Sequence, residues 1–284
     1  NPLRGMEVLV SRQRDKQSKV CMMPPKLTEL RSFLLDMDGT VYLGPNPIPG
    51  AAAFIQFLRN SGRKFLFLTN NPTSDAARYA EKLRGMGIGA VPQEVLTAGA
   101  ATADYLAHHT PYRRVFVLGT PCFEDELRRA DIVPTEQDAE AVVLSFDTTL
   151  TYAKLKQACL LLKKGLPYIA TNPDRVCPTE YGYIPDCGAM AALLAEATGG
   201  RMPLFIGKPA PEFARMAMER LGADPDSTAM VGDRIYTDME MARRASMASI
   251  LVLSGETTPE ALDRAEWRPD FVFPSVRELR AALE

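Results

Sequence analysis

The segment Phe33–Thr40, with the sequence FLLDMDGT, decides the interpretation of this 284-residue chain. Its apolar residues are typical of the end of a buried strand, and Asp36 and Asp38 follow one residue apart, before Gly39 allows a sharp turn. Residues i and i+2 of a strand point the same way, so the two carboxylates are expected to crowd at a strand tip. At about 4 Å and an effective dielectric of roughly 20, their repulsion costs about 4 kcal/mol, which favours a divalent cation between them. The alternative is a plain strand followed by an Asp-Gly turn.

Three later segments repeat this pattern of an apolar run that ends in polar residues. A stretch with helical spacing follows each one, so all four polar tips are predicted to share one edge of a parallel sheet, where ligands bind. Together the tips supply carboxylates, a lysine, a hydroxyl and backbone N–H groups, an inventory that suits phosphoryl transfer with a metal ion. The three segments are Phe65–Pro72, Pro203–Pro209 and Thr228–Arg234, with Asp238 five residues after Asp233.

In these residues the chain resembles the haloacid dehalogenase-like (HAD) phosphohydrolase superfamily, and more closely its 4-nitrophenylphosphatase or NagD-type branch, which carries a class IIA cap. The resemblance covers residues 28–284 and has four motifs in the right order. One such motif would be weak support, whereas four in register are specific. The motifs are Asp36–Thr40, Thr69–Asn70, Lys208, and Gly232–Asp233 with Asp238, and the branch also matches at residues 170–174.

The resemblance implies an α/β fold, with a Rossmann-like doubly wound parallel sheet as the core and an inserted α/β cap domain that closes over the active site. The 138 residues between Thr69 and Lys208 are too many for one crossover, and they contain further strand and helix patterns. Residues 238–245 are predicted as a helix. The predicted domains are a catalytic core of residues 28–109 and 203–284, an inserted cap of residues 110–202, and a disordered N-terminal tail of residues 1–27.

The first 22 residues are polar and basic, without a steady period or an apolar core long enough for a secretory signal. The stretch from Met23 onward is typical of a natural start for this kind of protein. We hypothesise that residues 1–22 come from upstream translation or an added expression sequence, or form a disordered tail.

The resemblance also implies roles for the acidic residues. Asp36 would be the nucleophile that forms an aspartyl-phosphate, and Asp38 would act as general acid and then general base. Mg²⁺ would be held by Asp36, Asp38 and Asp233, with Asp238 in support, since Mg²⁺ prefers a few carboxylates with water and phosphate oxygens. The plainer alternatives are an Asx-turn at Asp38 and an acidic first helical turn at Asp238. The second acid argues for a phosphatase and against a dehalogenase.

Substrate binding is implied for Thr69, Asn70 and Lys208, which would hold and neutralise the phosphate oxygens. In the cap, Asn172 and Asp174 resemble residues that face the substrate in this branch. Each has a structural alternative. The second motif would only cap the helix that follows it, Lys208 would be a solvated surface lysine, and Asn172–Asp174 would form an Asn-Pro-Asp turn.

Composition excludes several classes of protein. A net charge of −2 and a pI near 5.9 give no electrostatic footprint for nucleic acid. No apolar run approaches the ~20 residues that span a bilayer, so no membrane partner is expected. The five cysteines show no CxxC spacing, which favours reduced thiols in a cytoplasmic protein.

The leading functional hypothesis is a Mg²⁺-dependent phosphomonoesterase that hydrolyses small phosphorylated metabolites, with 4-nitrophenyl phosphate as an artificial substrate. A phosphotransferase or mutase would use the same residues and stays an alternative. A non-catalytic protein that binds phosphorylated ligands is a further alternative, which the presence of Asp36, Asp38 and Lys208 disfavours. The physiological substrate is open, and so is a homodimer, because caps in this branch can mediate one.

Overall fold

The computed structural model describes residues 26–179 and 181–284, so the predictions for residues 1–22 and for most of the tail lie outside the described residues. The strands are β1 (Ser32–Asp36), β2 (Tyr42–Leu43), β3 (Asn46–Pro47), β4 (Lys64–Thr69), β5 (Val95–Thr97), β6 (Arg114–Leu118), β7 (Val133–Pro134), β8 (Ala141–Leu144), β9 (Tyr168–Ala170), β10 (Val176–Thr179), β11 (Gly182–Pro185), β12 (Leu204–Phe205), β13 (Thr228–Gly232), β14 (Ala248–Val252) and β15 (Phe271–Phe273). The α-helices are α1 (Ala51–Asn60), α2 (Ala76–Gly85), α3 (Ala98–His109), α4 (Pro121–Arg129), α5 (Tyr152–Lys163), α6 (Cys187–Thr198), α7 (Pro211–Leu221), α8 (Glu240–Arg244), α9 (Pro259–Asp263) and α10 (Val276–Leu283).

A six-stranded sheet has the strand order β15-β14-β13-β1-β4-β5. The pairs β1–β13, β13–β14 and β14–β15 are parallel. Every residue of β1, β13 and β14 is buried, as expected for strands of a parallel sheet that helices cover on both faces. The predicted fold class, a Rossmann-like core with a further α/β part, is confirmed.

A second, five-stranded sheet has the order β12-β9-β8-β6-β7, and all of its pairs are parallel. Helices α5 and α6 pack on it over a core of buried apolar side chains that includes Leu144, Leu162 and Leu194. Two antiparallel hairpins, β2–β3 and β10–β11, complete the strands of the described residues.

The prediction that all four polar tips lie on one sheet is wrong for the segment Pro203–Pro209. Its strand β12 belongs to the five-stranded sheet, where it pairs with β9 and not with β1 or β13. The bonding continues past the strand, since the Ile206 N–H donates to the Ala170 carbonyl and the Gly207 N–H to the Thr171 carbonyl. A two-residue strand carries too little apolar pattern to specify which sheet it joins.

The chain divides into two compact units, each described by itself below. The first consists of residues up to Phe67, Leu83–Gly89 and Ala217–Glu284, and the second of Leu68–Lys82 and Ala90–Met216. The division falls within β4. The assignment of residues 110–202 as an inserted cap stays a prediction. Among the described residues, no helix is both long and apolar enough to cross a bilayer.

The predicted helix over residues 238–245 is present, but it begins earlier and its first part is not an α-helix. Residues Ile235–Met239 form a π-helix, and α8 begins only at Glu240. The wider turn is closed by the Met239 N–H, which donates to the Arg234 carbonyl at 3.1 Å, and the carboxylate of Asp238 accepts a hydrogen bond from the Arg234 N–H at 3.1 Å. π-Turns of this kind concentrate at functional sites.

The second unit buries a carboxylic acid where helices α3 and α4 pack together. Glu126 is 7% exposed, and the Thr97 hydroxyl donates to its Oε1 at 3.4 Å, while its Oε2 has no hydrogen-bond partner. Only a glycine at position 99 leaves room for this carboxyl group. Burial, and then the charge of Asp75, raise the pKa of Glu126 from 4.5 to about 7.

We expect Glu126 to make the free energy of unfolding fall as the pH rises from about 4.5 to about 7. In this window the folded protein keeps a proton that the unfolded chain has lost, so unfolding becomes easier with each step in pH. A shift of this size corresponds to roughly 3 kcal/mol. Denaturant melts of wild type and Glu126→Gln at several pH values give the slope of the free energy of unfolding against pH for each protein.

Glu136→Gln, which removes an exposed carboxylate from the same unit, serves as the control and should keep the wild-type slope. Parallel pH profiles for wild type and Glu126→Gln would contradict this account of the buried acid.

Candidate active site

Three buried carboxylates of the first compact unit converge on one point. Asp36, Asp233 and Asp238 each place a carboxylate oxygen within 4.8 Å of the others. Asp36 ends β1 and Asp233 follows β13, and these two strands are neighbours in the sheet. Adjacent parallel strands therefore bring the first and fourth predicted motifs together at their carboxyl ends.

The two acids of the first motif have different surroundings. Asp36 is buried, and the Thr40 hydroxyl donates to its Oδ2 at 3.4 Å. Asp38 is exposed and forms an isolated bridge with Tyr42, and its carboxylate is not one of the three that converge. Asp238, predicted as a supporting residue, occupies that third place. The catalytic and metal-binding roles of both motif acids stay predictions.

The Asp233 carboxylate lies in a cradle of backbone. Its Oδ2 accepts a hydrogen bond from the Glu256 N–H at 2.6 Å, and its Oδ1 is buried without a hydrogen-bond partner in the described structure. A Cβ atom at Gly39 or at Gly255 would collide with this carboxylate. Gly39 also has a φ of +87°, in the left-handed region that favours glycine.

The electrostatics of the cluster are unfavourable without a cation. Burial, and then the charges of Asp36 and Asp238, raise the pKa of Asp233 to about 8. For the nearby Arg234, burial alone would lower the pKa of the guanidinium, but surrounding anionic groups, including Glu256 at 2.9 Å, raise it overall. One guanidinium that already pairs with Glu256 does not neutralise three converging carboxylates.

These residues fit a hard divalent cation such as Mg²⁺. Mg²⁺ prefers oxygen ligands and binds through a few carboxylates while it keeps several waters. The buried Asp233 Oδ1, which has no hydrogen-bond partner, is a ligand atom that such an ion would satisfy, since buried polar atoms in proteins are nearly always bonded.

In the second compact unit, Asn70 joins the other predicted site residues. Its Oδ1 accepts from the Lys208 N–H at 2.8 Å, and its Nδ2 donates to the Lys208 carbonyl at 2.9 Å and to Asp174 Oδ2 at 3.1 Å. One side-chain amide thus fixes the backbone of the third motif from both sides. Thr69 ends β4, and its Oγ1 accepts from the Asn71 N–H at 3.1 Å, so its hydroxyl proton can be donated elsewhere.

Lys208 is 3% exposed, which excludes the interpretation of a solvated surface lysine. Gly207 before it is required by space, because a Cβ there would lie 2.6 Å from both Asn70 Oδ1 and the Thr171 carbonyl oxygen. The chain reaches Lys208 from the edge of the five-stranded sheet, and the Asn70 amide fixes it in place.

Asn172 and Asp174 also gather at this point, in different ways. Asn172 is fully buried, and its Nδ2 donates to the Asn70 carbonyl at 2.9 Å while its Oδ1 accepts from the Asp174 N–H. It braces the backbone of the second motif. Asp174 is half-buried and bonds the Asn70 amide. A substrate-facing role stays a prediction for both.

The sequence analysis missed a segment that contacts the acidic cluster, Ser254–Glu256. The Ser254 hydroxyl donates to the Gly39 carbonyl at 2.7 Å, and the backbone at 255 and 256 encloses Asp233. A sequence signal was present, because this segment follows the apolar run of β14 and Leu253 and so repeats the pattern of the other polar tips.

Two family profiles match the sequence. Residues 33–133 match the family described as haloacid dehalogenase-like hydrolase, and residues 205–279 match a HAD-hydrolase-like family. The first match contains the first two predicted motifs and the second contains the other two.

Curated and solved relatives match over nearly their whole length. An acid sugar phosphatase of Staphylococcus aureus is 37% identical over 259 residues, which are 91% of this chain and all of that protein. The 4-nitrophenylphosphatase of Thermotoga maritima is 43% identical, with a TM-score of 0.88 over 91% of this chain and 99% of that one. NagD of E. coli K-12 is 29% identical, with a TM-score of 0.83 over 88% and 98%. The chain therefore belongs to the haloacid dehalogenase-like hydrolase superfamily and is a phosphatase of its 4-nitrophenylphosphatase and NagD-type branch.

Proposed function

We propose that the protein is a Mg²⁺-dependent phosphomonoesterase that hydrolyses small polyhydroxylated phosphate esters of the sugar phosphate class, through an aspartyl-phosphate on Asp36. The observation that carries this proposal is the trio of buried carboxylates with an unpartnered oxygen on Asp233. The free thiols of the cysteines in the described part of the chain support action in the cytoplasm.

Asp36 and Asp38 divide the chemistry between them. An Asp36 carboxylate oxygen attacks phosphorus as the bond to the ester oxygen breaks, and Asp38 gives its proton to that oxygen, so that an alcohol leaves. Water then attacks the phosphorus of the aspartyl-phosphate, Asp38 takes a proton from it, and the bond to Asp36 breaks to release inorganic phosphate. The exposure of Asp38 suits a group that exchanges protons with substrate and water.

Mg²⁺ would be held by Asp36 and Asp233, with Asp238 and the Asp38 backbone carbonyl nearby, and would offset negative charge on the transferring group. Thr69, the Asn70 N–H and Lys208 would hold the phosphate oxygens. Lys208 suits this role as a buried point charge whose backbone the Asn70 amide fixes.

The substrate class rests on a cavity within the second unit. It has a volume of about 660 Å³ and begins at Asn71, directly after the second motif. Its lining contains four threonine hydroxyls and the Asn71 amide, together with two carboxylates and two guanidinium groups; these residues are Thr73, Thr120, Thr148, Thr149, Asn71, Asp75, Asp125, Arg78 and Arg129. Such a wall can exchange hydrogen bonds with an alcohol that carries several hydroxyls, and the curated relatives named acid sugar phosphatase agree with this class.

We expect the protein to release inorganic phosphate from 4-nitrophenyl phosphate and from sugar phosphates, and Asp36→Asn to lower kcat on the order of 10³-fold or more, because the attacking carboxylate is gone. A colorimetric phosphate assay measures both. Asp263→Asn, which changes an exposed acid of the same unit, should retain wild-type turnover. An active Asp36→Asn protein would exclude the aspartyl-phosphate route.

Mg²⁺ binding is expected to release protons at neutral pH. Without metal the pKa of Asp233 is about 8, so near pH 7 this carboxyl group is mostly protonated and must lose its proton to bind the ion. Calorimetric titration of the protein with MgCl₂ in two buffers of different ionisation enthalpy should give close to one proton released per ion at pH 7, and fewer at pH 9. The same heat in both buffers at pH 7 would argue against Asp233 as a ligand.

Gly255→Ala is expected to lower the affinity for Mg²⁺, because the new methyl group would collide with the Asp233 carboxylate and push it from its cradle. Gly89→Ala is the control, since it places a methyl group at a glycine of the same unit that, like Gly255, has no positive φ, but this group meets no atom within 4 Å. Calorimetry with MgCl₂ should show a loss for the first variant only. Equal affinities in the two variants would contradict the role of this cradle.

A further inference from the structure

Two segments that follow neighbouring strands form part of the cavity wall. Thr120, Pro121 and Cys122 come directly after β6 and Gly119, while Phe146, Thr148 and Thr149 come after β8. The strands are parallel neighbours, so both segments lie at the carboxyl ends of one sheet, where α/β proteins bind ligands.

An ion pair between a buried carboxylate and a half-buried lysine lies among these segments. Asp147 is 1% exposed, and its Oδ1 accepts hydrogen bonds from the Thr149 N–H at 2.8 Å and from the Thr149 hydroxyl at 2.6 Å. Its Oδ2 accepts from Lys154 Nζ at 2.7 Å. The carboxylate therefore closes the turn that carries two threonines of the cavity wall.

Lys154 connects this turn to the other segment. Its ammonium group has three N–H donors, and each has an acceptor: Asp147 Oδ2 at 2.7 Å, the Gly119 carbonyl at 3.1 Å and Thr149 Oγ1 at 3.1 Å. All three acceptors belong to the two segments at the cavity. A single side chain from α5 thus sets the spacing of both parts of the wall.

We propose that Lys154 and Asp147 are positioning residues, which hold the turn that carries Thr148 and Thr149, and the start of α4, in the arrangement that recognises the alcohol part of the substrate. The inference rests on the proposed function and adds residues that determine its selectivity. Neither residue contacts the phosphate in this account. They act through the wall that they fix.

A purely structural role explains the pair less well. The two strands are already joined by backbone bonding from Val115–Ala141 to Leu118–Leu144 and are covered by the apolar core of α5 and α6. A buried ion pair is often no more stabilising than apolar residues of the same volume. What the pair adds is a fixed geometry of the polar groups at the cavity.

The test compares Lys154→Met, Asp147→Asn and the double variant with wild type and with Lys156→Met. Lys156 lies on the same helix, is exposed and forms no ion pair in the described structure, so its variant controls for the loss of one charge. The double variant is needed because Lys154→Met alone leaves the buried Asp147 carboxylate uncompensated and can destabilise the fold. Circular dichroism melts check that each protein is folded.

Three quantities are measured with the full chain in Mg²⁺: KM for glucose 6-phosphate, KM for 4-nitrophenyl phosphate, and Ki for inorganic phosphate. In the folded double variant we expect the KM for glucose 6-phosphate to rise on the order of tenfold, the effect of losing one or two hydrogen bonds to the substrate. The KM for 4-nitrophenyl phosphate should rise much less, because its ring has no hydroxyl groups. The Ki of phosphate, which has no alcohol part, should change less than twofold.

Each contrary outcome has a separate meaning. A wild-type KM for glucose 6-phosphate in the double variant overturns the positioning role and leaves the phosphatase proposal intact. An equal rise of both KM values and of Ki shows a general disturbance of the site and also overturns it. Absence of phosphate release by wild-type protein from any of these esters overturns the proposed function, and the positioning role with it.

Discussion

The mutual repulsion of three buried carboxylates is the constraint on which the rest of the first unit depends. Asp36, Asp233 and Asp238 converge within 4.8 Å, and burial with like charges raises the pKa of Asp233 to about 8. The fold must therefore keep these three carboxylates close together although they repel one another. Adjacent parallel strands fix two of the acids, the π-turn fixes the third, and the side-chain-free glycines at 39 and 255 leave room for the carboxylate between them. A divalent cation would convert this stored repulsion into binding energy.

In the second unit, hydrogen bonds and not a metal ion hold Lys208 and the backbone of the second motif in place. Asn70 does so with neutral groups, since its amide binds both backbone atoms of Lys208 and its carbonyl accepts from Asn172. These hydrogen bonds fix the backbone of Lys208 at both its N–H and its carbonyl, so the lysine side chain begins from a fixed point. The near-complete burial of Lys208 strengthens its field at short range.

The sequence predicted most of this because strong apolar runs end in residues with unusual chemistry. Of the four acids predicted around the metal ion, Asp36, Asp233 and Asp238 converge and the Asp38 carboxylate does not. The other predicted site residues form a second group: Thr69, Asn70, Lys208, Asn172 and Asp174. The failures have physical causes. Strand β12 has two residues, so its pattern cannot specify a sheet. The pattern before α8 predicts a helix, which is present, but it does not distinguish a π-helix from an α-helix. The buried acid Glu126 depends on the space at Gly99, a tertiary contact between helices that no local pattern records.

Chemistry and selectivity place different demands on the residues of such an enzyme. Phosphoryl transfer needs charge at fixed points, which few residue types supply, so the motif residues are recognisable in any member of the family. A wall that binds hydroxyl groups can be built from threonine, serine, asparagine or backbone, and its shape depends on what holds it. The relatives at 37% and 43% identity therefore speak more strongly for the reaction than for the substrate. The specificity of this chain has to be sought in the residues that fix its cavity, where the Lys154 ammonium satisfies three acceptors on two segments.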